Sequence, residues 1–253
     1  MPSLQRHQLV RLSPAGWQQV LAGPWGASAR AALAHWARTG LPLVVGRQRE
    51  AGAGDPAPAP RLQLGLPTPL TYGRERLRIE VALEAVLFYD EFPAASAALR
   101  SVPMAARTAW ARLVRSLEGQ GVRARVFGSH GWQQLSGLRY VHERSDLDLL
   151  LPVSDLAQAD AVCAALMAAE AGIGAASAPA PASAAGPRPP PASLRIDGEL
   201  VFPDGAAVAW REWAPWRVTP ARGILVKRID GVALAHDAGW LARSGAWPLE
   251  VAA

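Results

Sequence analysis

The run SDLDLLL at residues 145–151 constrains this chain more than any other stretch. Asp146 and Asp148 alternate with Leu147, Leu149 and Leu151, and residues two apart in a strand share a face. An extended run therefore gathers both carboxylates on one side and three leucines on the other, so the fold needs a sheet packed on one face and open to charge on the other. Two adjacent carboxylates raise the cost of ionising each other, and a divalent cation relieves it. Mg²⁺ suits such a pair, since it takes oxygen ligands and is commonly held by one or two carboxylates together with substrate phosphates.

Upstream, Gly128-Ser129 follows a β-like segment, Val122 to Phe127, and precedes the helix-like run QQLSGL. Glycine lets backbone approach a ligand closely, and amides at a helix start attract phosphate oxygens. Taken singly these signals are weak: a Gly-Ser turn is common, and an Asp-x-Asp pair is more often a solvated strand face. In the order strand, Gly-Ser, short helix, loop, Asp-x-Asp strand, they resemble the nucleotidyltransferase fold of the DNA polymerase β superfamily. That resemblance implies that Gly128 and Ser129 hold a triphosphate and that Asp146 and Asp148 bind metal.

The intervening residues narrow the resemblance. Gly128-Ser129-x-x-Trp132, Leu135-Ser136-Gly137-Leu138-x-Tyr140 and Ser145-Asp146-Leu147-Asp148-Leu149-Leu150 are similar to one branch, the holo-acyl-carrier-protein synthases of malonate decarboxylase, or phosphoribosyl-dephospho-CoA transferases. The match is specific over residues 123–152 and weaker elsewhere, and Ser136 stands where that family usually has Thr. The resemblance implies a donor, triphosphoribosyl-dephospho-CoA, and an acceptor, a serine of the apo acyl-carrier subunit of malonate decarboxylase. It further implies release of pyrophosphate with Mg²⁺ as cofactor, and a third metal-binding carboxylate on a later strand. Asp197 stands in that place, with Glu199 on the same strand face as the alternative. Trp132 and Tyr140 lie between the phosphate turn and the metal strand, and are expected to border the donor beyond its phosphates.

The whole chain has 253 residues, enough for one large domain or two small ones. It reads as α+β: a smaller α+β module over 1–93, then a polymerase-β-like nucleotidyltransferase core of mixed sheet and helices over 94–253. In the front module, strand 4–12, helices Gly16–Leu21 after Ser13-Pro14 and Ala27–Ala37 before Gly40, and strands at 41–46 and on either side of Gly73 are expected. Its His7, Trp17, Trp25, His35 and Trp36 are read as core tryptophans and surface histidines. Residues 94–119 are helical, split at Pro103. Ser154 is expected to cap a helix over 155–171. The Gly, Ala, Ser and Pro of 172–193 are read as an extended insertion. The segments LRIDGELVF and AVAWREW are expected to form a hairpin around Pro203-Asp204-Gly205, and Ile224–Ile229 a strand turning at Asp230-Gly231. Residues 237–253 close the chain with a short helix and a tail.

The formal net charge is +5, carried almost wholly by arginine, and Lys227 is the only lysine. Such a balance suits a polyanionic partner without choosing one. A solitary lysine among so many arginines is a candidate point-charge contact to phosphate, against chance survival. The sequence pI of ≈ 10.3 also fits a nucleic-acid-binding module, but no binding motif or basic-aromatic cluster supports nucleic acid as a partner. AMP transfer to a small molecule or protein would use the same metal-site residues and is the nearer alternative. One cysteine, Cys163, excludes an intramolecular disulfide and sits on an apolar helix as a buried thiol. With no signal-like start and no long apolar run free of charge and proline, no membrane is expected and the cytoplasm is the default.

Overall fold

The computed structural model describes residues 4–48, 61–143, 145–176 and 194–240. Residues 50–60, which their Gly and Pro content marks as a flexible loop, the bulk of the 172–193 insertion and the tail after residue 240 lie outside the described residues. The architecture is α+β, with two sheets and six α-helices among the described residues.

The first sheet is antiparallel, built from β1 (Leu9–Leu12), β2 (Leu43–Val45), β3 (Arg61–Pro67), β4 (Arg76–Ala82) and β5 (Val86–Asp90), in the order β4-β3-β2-β1-β5. Helices α1 (Pro14–Leu21) and α2 (Ala27–Thr39) pack with it. Their ends follow the sequence: Ser13 Oγ accepts from the Gly16 amide, and Gly40 ends α2 in the left-handed region. Trp17 and Trp36 are core, as read. The strand β5 was not anticipated, because VLFYD lacks a buried alternating face; its side chains are half-buried or exposed.

Next come α3 (Arg107–Gly119), β6 (Arg125–Val126), α4 (Gly128–Ser136), β7 (Leu147–Pro152) and α5 (Leu156–Ala176). After the undescribed segment follow β8 (Ile196–Val201), β9 (Ala207–Ala209), α6 (Trp210–Val218), β10 (Ile224–Lys227) and β11 (Val232–Ala235). The second sheet runs β11-β10-β9-β8-β7-β6 and is mixed, with β7 and β8 parallel and every other pair antiparallel. Leu147, Leu149 and Leu151 are fully buried against α3, α5 and α6. At about 2 kcal/mol for each leucine removed from water, this face fixes the register, since a slip of one residue would bury the aspartates instead.

The opposite face of this sheet is not open to bulk solvent along its whole length. Phe127, Trp132, Leu135, Leu150 and Ile229 join the core of the first sheet, so the front of the chain lies across the carboxylate-bearing face. The Gln48 amide donates to the Ile229 carbonyl at 2.9 Å, and the Leu70 amide to that of Arg139 at 3.4 Å.

Several boundaries differ from the sequence reading. Residues 95–101 and 104–106 are 3₁₀ turns, and α3 begins only at Arg107, past Pro103. Asp155, not Ser154, caps α5, its Oδ1 accepting from the Gln158 amide at 2.9 Å. That helix continues to Ala176, so the first residues of the supposed extended insertion are helical. The hairpin's second strand stops at Ala209; WREW turns into α6, whose Trp210, Trp213 and Trp216 fill the core. By length and composition α5 is apolar enough to cross a membrane (mean hydropathy 1.3 over Leu156–Ile173). Here Val162, Cys163, Leu166 and Ile173 are core, and Asp160 and Glu170 pair with Arg217 and Arg211. Cys163 is free, and burial pushes its thiol up to about 12.

Candidate active site

The site is assembled where β6 ends. Helix α4 begins at Gly128, and no side chain caps its first amides. Gly128 has φ +58°, and a side chain there would overlap the Asp148 carboxylate, its Cβ falling 2.8 Å from Asp148 Cγ. Only glycine brings the turn this close to the acidic strand. Gly131 serves the same approach one turn on, since a Cβ there would overlap the Val126 carbonyl and fall 2.8 Å from Phe92 Cδ1.

Asp146 and Asp148 share the face opposite Leu147 and Leu149, as the alternation requires. The parallel pairing sets Asp148 beside Asp197 and Leu150 beside Glu199. Gly198, at φ +150°, lets the strands meet: a Cβ there would overlap the Leu149 carbonyl. The start of β8 is held by Glu170 and Arg211, which take the Ile196 amide (3.3 Å) and carbonyl (2.6 Å).

Two carboxylates on this face live under opposite fields. Asp148 is pushed up to about 6, first by burial and then by the charges of Asp197, Asp146 and Glu199. Glu199 is 6% exposed, and burial alone would raise it, yet it is held down at about 2. Hydrogen bonds from His7 (3.1 Å) and Lys227 (2.7 Å) and the Arg6 charge (3.5 Å) outweigh burial. Asp146 and Asp197 share one weak partner, Arg195, at 3.8 and 3.9 Å.

Among the described residues no three His, Cys, Asp or Glu side chains are gathered as a ready metal cluster. The arrangement nonetheless suits a cation that takes one or two protein carboxylates and completes its shell with substrate phosphates. Asp148 is a carboxylate short of positive charge, whereas Glu199 already meets Lys227 and Arg6 and a hydrogen bond from His7, and is poorly suited to be a ligand.

A cleft of ≈ 1650 Å³ opens in front of these residues. Gly128, Ser129, Trp132, Tyr140 and Asp148 line it on one side; residues of β2, β3 and β4 line the other, with His7 and the turn Asp230-Gly231 between. Asp146, Asp197 and Lys227 do not line it. The ring of Trp132 stacks on Tyr140 (6.3 Å, 25°) and meets Phe92 edge-on (5.5 Å, 90°). Tyr140 reaches the first sheet, its hydroxyl donating to the Pro67 carbonyl at 2.7 Å. Gln133 Oε1 accepts from the Tyr140 and Val141 amides, and Ser136 Oγ accepts from the Leu138 amide, so these polar residues shape the segment rather than facing a ligand.

Sequence reasoning missed His7, Arg47, Arg76 and Arg78 as cleft residues. His7 was taken for a surface histidine; it sits at φ +60°, bonded to Glu199 and 4.4 Å from the Phe127 ring. Its only local sign would have been a strained backbone, which sequence does not print. The arginines had a visible signal, the alternation of RLRIEVA, but alternation does not say what the face looks at.

Family models agree in covering both parts of this arrangement. The model described as phosphoribosyl-dephospho-CoA transferase MdcG N-terminal domain matches residues 5–89, and that of the MdcG C-terminal domain matches 92–177 and 188–238. The chain is 33% identical over 249 residues to the phosphoribosyl-dephospho-CoA transferase of Xanthomonas euvesicatoria pv. vesicatoria, covering 98% of this chain and 99% of that one. It is 36% identical over 233 residues to the protein of the same name from Bradyrhizobium diazoefficiens, covering 90% and 88%. No solved structure matches. The chain is thus an enzyme of the transferase class. More narrowly, it belongs to the phosphoribosyl-dephospho-CoA transferase family.

Proposed function

We propose that the enzyme moves a phosphoribosyl-dephospho-CoA group from triphosphoribosyl-dephospho-CoA to a serine of the acyl-carrier subunit of malonate decarboxylase, on a polymerase-β-like core. The observation that carries this reading is the contact between Gly128 and Asp148, which sets a phosphate-binding turn directly on a carboxylate short of positive charge. The serine oxygen forms a bond to the α-phosphorus of the donor, the bond from that phosphorus to the β-phosphate oxygen breaks, pyrophosphate departs, and the hydroxyl proton passes to solvent.

In this scheme the amides at Gly128 and Ser129 cradle the departing phosphates. Asp148 with Asp146 and Asp197 would hold Mg²⁺, with Arg195 yielding its loose contacts. When bound, the ions supply charge neutralisation at the phosphates and a lower pKa for the attacking hydroxyl. Trp132 and Tyr140 wall the donor beyond its phosphates, and Lys227 acts through Glu199 rather than on phosphate. The cytoplasm is the proposed site of action.

The test is to incubate the enzyme with Mg²⁺, the apo carrier subunit and either triphosphoribosyl-dephospho-CoA or ATP, and to weigh the intact carrier. The expected product is the carrier plus phosphoribosyl-dephospho-CoA on a single serine, formed only with the first donor. An AMP adduct, with none from the CoA-derived donor, would replace this reading by adenylyl transfer.

A further inference from the structure

The first sheet presents a row of charge that neither the metal site nor the phosphate turn employs. Along β4, Leu77, Ile79 and Val81 are buried, so Arg76, Arg78 and Glu80 must share the other face, and both arginines line the cleft. Their cross-strand partners are Pro67 and Gly65, short residues without charge. Glu80, in the same row, is taken by Arg61 and Gln63. Among the described residues, the side chains of Arg76 and Arg78 have neither ion pair nor hydrogen bond, their backbone alone being held in the ladder with β3. Elsewhere Arg125, Arg211, Arg217 and Arg228 each meet a carboxylate. Arg47 enters the cleft beside them, its Nε donating to the Asp230 carbonyl at 2.6 Å and its guanidinium still exposed.

The cleft is also larger than one phosphate chain needs. At ≈ 1650 Å³ it exceeds the roughly 300–1000 Å³ of ordinary small-molecule sites, and its lining carries both Asp148 beside the Gly128 turn and the cations Arg47, Arg76 and Arg78. A ligand carrying two separate anionic groups fits such a space, one group at the Gly128 turn and the other against the arginines. Unpaired guanidinium groups two residues apart on a strand, on the order of 7 Å between Cα atoms, are suited to bidentate contacts with phosphate oxygens.

We propose that Arg76 and Arg78, assisted by Arg47, form a second anion subsite that holds the diphosphate bridge of the dephospho-CoA part of the donor while Gly128 and Ser129 hold its triphosphate. This rests on the donor reading given above. It assigns the first sheet a role in substrate binding: half of the site that selects the donor comes from it. An acidic face of the carrier protein is the competing partner for the same charges, and sharing one cleft with Ser129 and Asp148 favours the small ligand.

Dephospho-CoA, which has the diphosphate bridge but no triphosphate, is the probe, titrated calorimetrically into the full-length enzyme. Arg76 and Arg78 are exposed, so R76Q/R78Q is expected to fold with an unchanged melting temperature and to bind dephospho-CoA at least about tenfold more weakly. R112Q/R115Q, at two exposed positions on α3, removes the same two charges and should bind as the wild type does. Equal affinity of wild type and R76Q/R78Q for dephospho-CoA would overturn the subsite and leave the donor reading standing. So would a double variant that binds the probe normally and loses affinity only for the carrier, which would assign the arginines to protein docking. Wild-type enzyme that ignores dephospho-CoA and binds ATP would overturn the donor reading, and the subsite with it.

Discussion

Gly128 and Asp148 are packed so closely that no side chain fits between the turn that opens α4 and the acidic strand β7. The pair sits at the floor of the cleft, and the left-handed backbone at Gly128 and the buried leucines behind Asp148 hold it from both sides. Gly128→Ala should therefore cost about 1 kcal/mol from the backbone alone. Displacement of the carboxylate should lower kcat at least a hundredfold. Near-normal turnover in a variant whose melting temperature has fallen would show that this contact is not needed for transfer.

Asp148 predicts a signed pH effect on the metal-free enzyme. A carboxyl raised to about 6 in the fold binds more protons than in the unfolded chain, so stability falls as pH rises from about 4 to about 6 and levels above that. The shift corresponds to about 3 kcal/mol before solvent screening, and about 1–2 kcal/mol is expected once it is discounted for partial exposure. Asp148→Asn should remove this slope, raise the metal-free melting temperature at pH 8, and abolish transfer. An unchanged stability profile across pH 4–8 would refute the field described at this residue.

Glu199 predicts the opposite sign. Its folded value of about 2 lies below the ordinary 4.5, so its contribution is present above about pH 4.5 and is lost as pH falls towards 2. Glu199→Gln leaves Arg6 and Lys227 without their anion and His7 without its acceptor; because all three side chains are partly solvated, about 2 kcal/mol is expected, less than the roughly 3–5 kcal/mol of a fully buried pair. Acid unfolding of the two proteins side by side would show the wild type losing more stability between pH 4.5 and 2 than the variant, in which Asp155 and Asp160 still titrate from lowered values. Retained metal affinity in Glu199→Gln would agree with its exclusion as a ligand.

Tyr140→Phe removes the hydroxyl that donates to the Pro67 carbonyl and keeps the stack on Trp132. The expected cost is about 1 kcal/mol of stability. The sharper readout is a rise in KM for the donor with little change in kcat, since the bond ties the donor wall to the first sheet. A fall in kcat at constant KM would place Tyr140 at the chemistry instead.

What the sequence disclosed follows from period and turn chemistry. The alternation of SDLDLLL was enough to predict the face on which Asp148 and Asp146 stand, and Gly128, Gly40 and Ser13 marked the starts and ends of helices. Ser136 was legible as a hydroxyl, though its task of holding the Leu138 amide was not. The missing half of the cleft came from long-range packing. Nothing near His7 announces Glu199, and nothing in RLRIEVA states that its arginines line the same cleft as Ser129. The end of β9 was misjudged because WREW has strand-like residues, while its three tryptophans in this segment and the next turn are spaced to fill one side of a helix.

Arg6 and His7 meet Glu199 across 193 and 192 positions of the sequence. Contacts of such separation form late, after the entropy of closing the intervening chain has been met. Until β8 is present, Arg6 and His7 have no Glu199 to meet. A chain truncated anywhere before β8 thus lacks the buried carboxylate that ties Arg6, His7 and Lys227 together beside the cleft.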